Sequence, residues 1–347
     1  MITTMKITFR RILEFIGILM AIGFGVFVYG GWQMFGDQIR AIRTLKMVKE
    51  HVYTFEYKGD YGFKDFLEQG GAKTDAGMAA YIAGFLSKGY VKTDIQGPDA
   101  GCSTITSGEL FCRNFDWESK SHYAVIKTDP DDGYASISTS AFTFLGMGED
   151  WHPIAGMDGM VALASIYVPL DGMNEMGLCV SDLVEIDGSI DVPDTEKPDL
   201  TIVAAIRLVL DYAKDTDEAV RLLSQYDVFP SVNSAHHLAI SDSNENNVVV
   251  EWRNGEVMVT ETSIVTNHCL AEDIDSPITE ESKKRFATLA ENHSQFGTYE
   301  DGLRALKDAS YADHTLWSVI YDKNNLSSSI YFNCDWNSPL TFKISGE

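Results

Sequence analysis

The sequence predicts an α+β fold in which antiparallel sheets are layered with helices outside them, behind an apolar N-terminal segment. Two observations predict the layered part: short β-rich runs alternate in groups with helical runs, and a meander carries the hairpin dipeptide Asn254-Gly255. A third predicts the segment. From Ile12 to Phe35 the chain is apolar or small except at Glu14 and Gln33, and about 20 such residues span a bilayer core as a helix.

Lys6, Arg10 and Arg11 precede the apolar run, as in a signal peptide. The run is long for one and no small-x-small cleavage site follows, so an uncleaved single anchor is expected. Arg40, Arg43, Lys46 and Lys49 follow it, so the positive-inside rule has charges to count on both sides; extracytoplasmic placement of the remainder is slightly favoured. Ile39, Ile42, Leu45, Val48 and Val52 recur every three or four residues and predict one helix from Asp37 to about Tyr57. A second helical run covers Ala76 to Ser87, and Gly97-Pro98-Asp99-Ala100-Gly101 reads as a loop.

The pattern changes at Cys102. Strands are predicted at Ala135 to Phe144, Met160 to Val168 and Leu178 to Val184, then two helices, the first capped by Asp199 and carrying Ile202, Ile206, Val209 and Leu210, the second carrying Ala219, Val220, Leu222 and Leu223. The meander comprises His237 to Ser241, Val248 to Trp252 and Glu256 to Thr262. Helices at Thr279 to Asn292 and Thr298 to Ala309 follow, and strands near Thr315 to Tyr321, Ser328 to Phe332 and Leu340 to Ile344 close the chain. No internal repeat or low-complexity tract interrupts this order.

With 347 residues, 45% of them hydrophobic, the chain can bury a full core. Its formal net charge of −24 argues against nucleic acid as a partner and against a polybasic membrane contact. The five cysteines, Cys102, Cys112, Cys179, Cys269 and Cys334, are an odd number without a CxxC pair, too few for a disulfide scaffold. His236, His237 and His268 lack companions at zinc-ligand spacing, and the scattered glycines form no phosphate loop. No metal and no cofactor is expected.

Cys102 to Trp117 reads as strand, tight turn at Ser107-Gly108, strand, a hairpin that brings Cys102 near Arg113 and Asp116. A guanidinium beside a thiol favours the reactive thiolate, and a carboxylate can hold an amine or orient the cation. The same residues also fit a small buried cysteine and a surface ion pair. Cys112 reads as a buried thiol beside this hairpin, and Cys179, Cys269 and Cys334 as packing residues.

Cys112-Arg113-Asn114-Phe115-Asp116-Trp117 resembles the G-R-N-x-D-W motif near the mature N-terminus of the choloylglycine hydrolase family, which includes bile salt hydrolases and penicillin V acylases, with Cys112 in place of the glycine. The resemblance continues in order through Asp171-Gly172-Met173-Asn174-Glu175-Met176-Gly177-Leu178, Val265-Thr266-Asn267-His268, Ser282-Lys283-Lys284-Arg285-Phe286 and Thr315-Leu316-Trp317-Ser318-Val319, covering about Gly101 to Ile344. It implies a four-layer αββα N-terminal-nucleophile hydrolase fold for a catalytic domain at 102–347; the apolar run and the helical spacing before it are read as a transmembrane helix (1–36) and a mostly helical propeptide (37–101). The cut would fall between Gly101 and Cys102.

By the same resemblance Cys102 would be nucleophile through its thiol and base through its freed α-amine. Arg113 would lie near the sulfur, Asp116 would accept a hydrogen bond from the α-ammonium group, Asn267 would donate its side-chain amide to the oxyanion, and Arg285 would belong to the active-site region. Asn174 fits a catalytic and a turn role equally. The second oxyanion asparagine of bile salt hydrolases falls near Val184, which argues against a bile-salt type of pocket. The implied reaction is hydrolysis of a linear non-peptide amide, a small-molecule N-acyl compound, through an S-acyl enzyme. Acyl transfer to an amine and a noncatalytic membrane-tethered domain of the same fold are the alternatives, and a homo-oligomer is left open.

Overall fold

The computed structural model describes residues 29–32, 34–87, 100–117, 122–153, 156–186, 188, 195–231, 234–253, 255–271, 279–311 and 314–344. In chain order, α1 (34–44) leads into β1 (Lys46–Lys49), β2 (Val52–Lys58), α2 (Phe63–Glu68) and α3 (Asp75–Ser87). Then come β3 (Ala100–Ser107), β4 (Leu110–Trp117), β5 (Tyr123–Asp129), β6 (Ser136–Ala141), α4 (Met157–Leu163), β7 (Asp171–Asn174) and β8 (Cys179–Glu185). The middle of the chain supplies β9 (Asp199–Thr201), α5 (Ile202–Tyr212), α6 (Thr216–Leu223), β10 (Asp227–Phe229), β11 (Ala235–Ser241), β12 (Asn247–Arg253), β13 (Glu256–Glu261) and β14 (Ile264–Val265). The last part is α7 (Glu280–His293), α8 (Tyr299–Asp308), β15 (Thr315–Asp322), β16 (Ser327–Phe332) and β17 (Leu340–Lys343).

Two sheets stack between helices. The larger runs β1-β2-β5-β6-β7-β8-β11-β12-β13 and the smaller β14-β3-β4-β15-β16-β17. Because strand side chains alternate between faces, the central strands feed two cores. Phe111, Phe115, Tyr123, Ile137, Met173, Leu183 and Trp317 meet between the sheets. Phe55, Ile126, Val180 and Ile240 point the other way, onto Ile202, Ile206 and Val209 of α5. On the far side Ile105, Cys112 and Ile320 meet Leu289, Ala305 and Leu306 of α7 and α8. This is the αββα order the resemblance implies.

The helix expected from Asp37 to Tyr57 is corrected: α1 stops at Thr44 and β1 and β2 follow, His51 turning the chain at φ +63. Its periodicity was a coincidence over a strand rich in β-branched and aromatic residues. Val52 faces the inter-sheet core while Tyr53, Phe55 and Tyr57 face the outer one. Among the described residues of 37–101, α1, α2 and α3 are joined by strands as well as loops; β2 pairs in parallel with β5 inside the larger sheet. Gly71, at φ +71, approaches Asp199 so closely that a Cβ would lie 1.8 Å from the Asp199 carbonyl oxygen, which ties this segment to the later chain. The strand expected at Met160 to Val168 is α4 and a 3-10 turn, since a short apolar run does not distinguish a buried strand from a buried helix. Asp199 lies in β9, and Thr201 precedes α5 in its place. The other strands and helices fall where expected, within a few residues.

Among the described residues no helix is long and apolar enough to cross a membrane. Most of the apolar run from Ile12 to Phe35 lies outside the described residues.

Candidate active site

The hairpin β3-β4 sets the site. Gly108 turns it at φ +54, a backbone region closed to most side chains, and the register puts Gly101 opposite Asp116, Cys102 opposite Phe115 and Thr104 opposite Arg113. Cys102 is 1% exposed. Arg113 points from the smaller sheet toward the larger and ion-pairs with Asp171 of β7, which also accepts hydrogen bonds from Trp317 Nε1 and the Tyr321 hydroxyl. Its Nη2 lies 3.5 Å from Cys102 Sγ and donates to the Asp182 carbonyl at 2.5 Å.

Asn267 and Arg285 arrive from elsewhere. Asn267 follows β14 in a loop fastened where the Leu270 and Ala271 N–H groups donate to Glu251. Its Oδ1 accepts the Cys102 N–H at 2.7 Å and Arg285 Nη2 at 2.7 Å, while its Nδ2 donates to the Val184 carbonyl at 2.7 Å. Arg285, in α7, donates through Nη1 to the Cys102 carbonyl at 2.8 Å and lies 3.4 Å from Asp116 Oδ2. Thr315 holds the other Asp116 oxygen at 2.6 Å. Arg113, Asn267 and Arg285 thus converge on one residue, Cys102, with Asp116 joined to them through Arg285 and Gly101 beside them in β3.

The electrostatics depart from expectation. Burial pushes the Cys102 thiol up to about 11 and outweighs the opposing effect of Arg113, whose charge is already countered by Asp171. The thiol, not the thiolate, is therefore its resting form. Burial also pushes Asp116 up to about 6, against the pull of Arg285, Thr315 and Arg113. Asn267 meets the Cys102 nitrogen as an acceptor, and one of its two side-chain N–H bonds is already committed to Val184.

Asn174 is not part of this group. It donates to the carbonyls of Leu210 and Ala213 and accepts from the N–H groups of Met176 and Leu178, fastening the β7-β8 turn to α5. Sequence reasoning missed Asp171, although it opens a quoted motif, and it missed Asp182 and His236. His236 Nδ1 donates to Asp182 Oδ1 at 2.8 Å and its Nε2 to the Ser231 carbonyl at 3.0 Å. No motif carries that pair; only the β8-β11 register joins it.

The five cysteines are free thiols. Cys112 packs against α8, where a Cβ on Gly302 would lie 2.9 Å from its sulfur. Glu185, Glu251 and Cys269 bring ligand-type atoms within 4.8 Å of one another. Arg253 already stands among them, with its Nη2 on Glu185 and 2.8 Å from Cys269 Sγ, so the charge a metal would supply is in place. His237 instead pairs with Glu251, and His268 with Ser282.

Beside Cys102 lies a slot whose lining mixes apolar side chains, among them Phe115, Trp117, Phe144 and Val184, with the polar Asp182 and His236. About 20 Å³ of it admits the centre of a water, roughly one water molecule.

The family model of acyl-coenzyme A:6-aminopenicillanic acid acyl-transferase matches residues 104–337. The chain belongs to this acyl-transferase family. The match begins two residues after Cys102 and takes in Arg113, Asp116, Asn267 and Arg285. A mutant of the conjugated bile acid hydrolase from Clostridium perfringens aligns with a TM-score of 0.51 at 13% identity, over 70% of this chain and 92% of that one. A second variant of that hydrolase aligns at 0.52 and 14%, over 71% and 92%. At this identity the likeness establishes the N-terminal-nucleophile hydrolase fold that the choloylglycine hydrolase resemblance implied. Penicillin V acylase from Agrobacterium tumefaciens aligns at 0.47 and 17%, over 69% and 84%. No curated protein matches the chain.

Proposed function

We propose that this acyl-transferase family member is a self-processing cysteine N-terminal-nucleophile hydrolase that cleaves a linear, non-peptide N-acyl amide through an S-acyl enzyme on Cys102. One observation carries the reading: Arg113, Asn267 and Arg285 meet the sulfur, the nitrogen and the carbonyl oxygen of the same residue, Cys102. A merely buried cysteine needs no such set.

The first step is self-cleavage. The Cys102 sulfur attacks the Gly101 carbonyl carbon, the Gly101-Cys102 C–N bond breaks and the thiol proton passes to the departing nitrogen, leaving a thioester and a free α-amine. Water then hydrolyses the thioester, returning the thiol and a Gly101 carboxylate. Gly101 has no side chain to hinder the attack. The raised Asp116 carboxyl, at about 6 and across the strand pair from Gly101, is a better proton carrier near neutrality than an ordinary aspartate. Afterwards the α-amine, whose ordinary value is about 7.7–8.0, serves as base, held by Asn267 Oδ1. Arg285, on the Cys102 carbonyl, fixes the backbone as the substrate acyl group is attacked.

The family description favours a second outcome, transfer of the acyl group to an amine in place of water; product analysis with and without added amine separates the two. The division into an anchor (1–36), a propeptide (37–101) and a catalytic domain (102–347) is part of the proposal. Exposed Tyr29, Trp32 and Met34, at 65%, 42% and 53%, support an apolar environment around the first helix. N-terminal sequencing of the purified chain tests the mechanism. A fragment beginning at Cys102 and a full-length, inactive Cys102→Ala are expected. An active enzyme beginning elsewhere, or an uncut active chain, would overturn it.

A further inference from the structure

Asp171 opens β7 in the larger sheet and pairs with a guanidinium that comes from β4 in the smaller one. It is fully buried, and four donors converge on it. Arg113 Nη1 and, at 2.9 Å, Trp317 Nε1 meet its Oδ2. The Thr139 hydroxyl and, at 2.7 Å, the Tyr321 hydroxyl meet its Oδ1. A carboxylate is tolerated in a core only where its oxygens are satisfied in this way.

The other end of the same guanidinium stands at the sulfur. Arg113 Nη2 lies 3.5 Å from Cys102 Sγ and donates to the Asp182 carbonyl, and the Arg113 Cζ lies 4.9 Å from the centre of the Phe115 ring. A guanidinium without a counter-charge at this distance would draw the thiol toward thiolate. Paired with Asp171 it draws less, and Asp116 and Asp182 act on the sulfur in the opposite sense. The other charged or titratable groups around Cys102 are Arg285, on its carbonyl, and Asp75 and His236, which line the slot.

Resting on the N-terminal-nucleophile reading above, we infer that Asp171 is a positioning residue for the proposed reaction: it aims Arg113 at the Cys102 sulfur and neutralises the guanidinium, so the sulfur waits as a thiol whose proton the freed α-amine takes. In that step the S–H bond breaks, the proton goes to the α-amine nitrogen, and the sulfur electron pair attacks the substrate carbonyl carbon. A standing thiolate would need no amine and would react with any oxidant or alkylating agent that reached it.

Asp171→Asn separates charge from aim. Its amide oxygen can replace Oδ2 toward Arg113 and Trp317, and its N–H groups can replace Oδ1, because the Thr139 and Tyr321 hydroxyls can turn to accept. Arg113 is then still held, but its counter-charge is gone.

The test is alkylation of Cys102 by iodoacetamide in the purified full chain, read peptide by peptide by mass spectrometry from about pH 7 to about pH 10.5. Each variant is compared with wild type in the same form, cut or uncut. The wild-type rate should climb through this range without levelling, since burial holds the thiol at about 11. In Asp171→Asn it should level off about one pH unit lower or more, while Cys112 and Cys179, as buried as Cys102, stay as slow as in wild type. Adding Arg113→Met should abolish the shift, because the effect runs through the guanidinium. Should Asp171→Asn fail to fold, Tyr321→Phe serves in its place. Removing that hydroxyl leaves the carboxylate freer to act on Arg113 and should slow Cys102 alkylation at about pH 9 by about twofold or more.

An unmoved profile in Asp171→Asn, a shift that survives Arg113→Met, or an unslowed Tyr321→Phe would overturn the inference. So would Cys112 and Cys179 rising in step with Cys102, which would mark a loosened core. None of these readings uses turnover, so the amide-hydrolase reading stands or falls separately, on N-terminal sequencing.

Discussion

Asp116 is a buried carboxyl whose value is raised from 3.8 to about 6, and this makes a prediction about stability that requires no knowledge of the substrate. Below pH 3.8 the group is protonated in both the folded and the unfolded chain. As the pH rises through 6 the folded state must ionise a buried acid that the unfolded state ionises in water, so stability present at low pH is lost. Each pH unit between the two values is worth about 1.36 kcal/mol, giving roughly 3 kcal/mol by neutrality. Asp116→Asn keeps the shape and cannot titrate. In a Cys102→Ala background, where both proteins stay uncut, urea unfolding at about pH 3.5 and pH 7.5 should show the aspartate chain losing about 3 kcal/mol relative to the asparagine chain. The loss of Arg285 as a charged partner adds an offset, but it does not produce that pH dependence. Parallel curves would refute the raised value, and with it the proposed proton-carrying role. Self-cleavage of the wild type should likewise accelerate as pH rises through about 6.

Asn267→Ala should lower turnover by about a hundredfold or more while leaving Cys102 open to alkylation; near-normal turnover would remove Asn267 from the mechanism. Asp171→Asn leaves Arg113 buried without its counter-charge and should cost about 3–5 kcal/mol in thermal or urea unfolding, so an unchanged midpoint would contradict the pairing. Gly302→Ala should destabilise by about 1–3 kcal/mol through its close approach to the Cys112 sulfur and the Phe296 ring. In a Cys112→Gly background the cost of Gly302→Ala should be smaller, and fully additive losses in the double mutant would deny the contact. Full-length chain should stay with membranes through a carbonate wash, whereas release of all of it would remove the anchor.

Much of the site was legible because it lies in short motifs. Arg113 and Asp116 share a hairpin with Cys102, and a hairpin brings residues together by register alone, so sequence spacing was enough to place them. Asn267 and Arg285 came only through the family resemblance, since nothing local joins a loop after β14 to the first turns of α7. The helix drawn through Val48 and Val52 failed because a period of three or four can be imitated by a short strand at a sheet edge. Asn174 was ambiguous because a turn fastener and a catalytic amide have the same chemistry until their partners are known.

By itself the sequence determined the alternation of strand and helix groups, the apolar N-terminal run, the Cys102 hairpin and the membership those motifs announce, because each is a local pattern of propensity, hydrophobicity or spacing. Tertiary structure decided the rest. It placed β2, which precedes Cys102, inside the sheet with β5, turned Asn267 Oδ1 toward the Cys102 nitrogen, buried the thiol and so raised its value, and set Asp182 against His236 across neighbouring strands. These are properties of pairing and desolvation, and a residue's charge state and partners depend on what surrounds it in space, which a one-dimensional pattern does not contain.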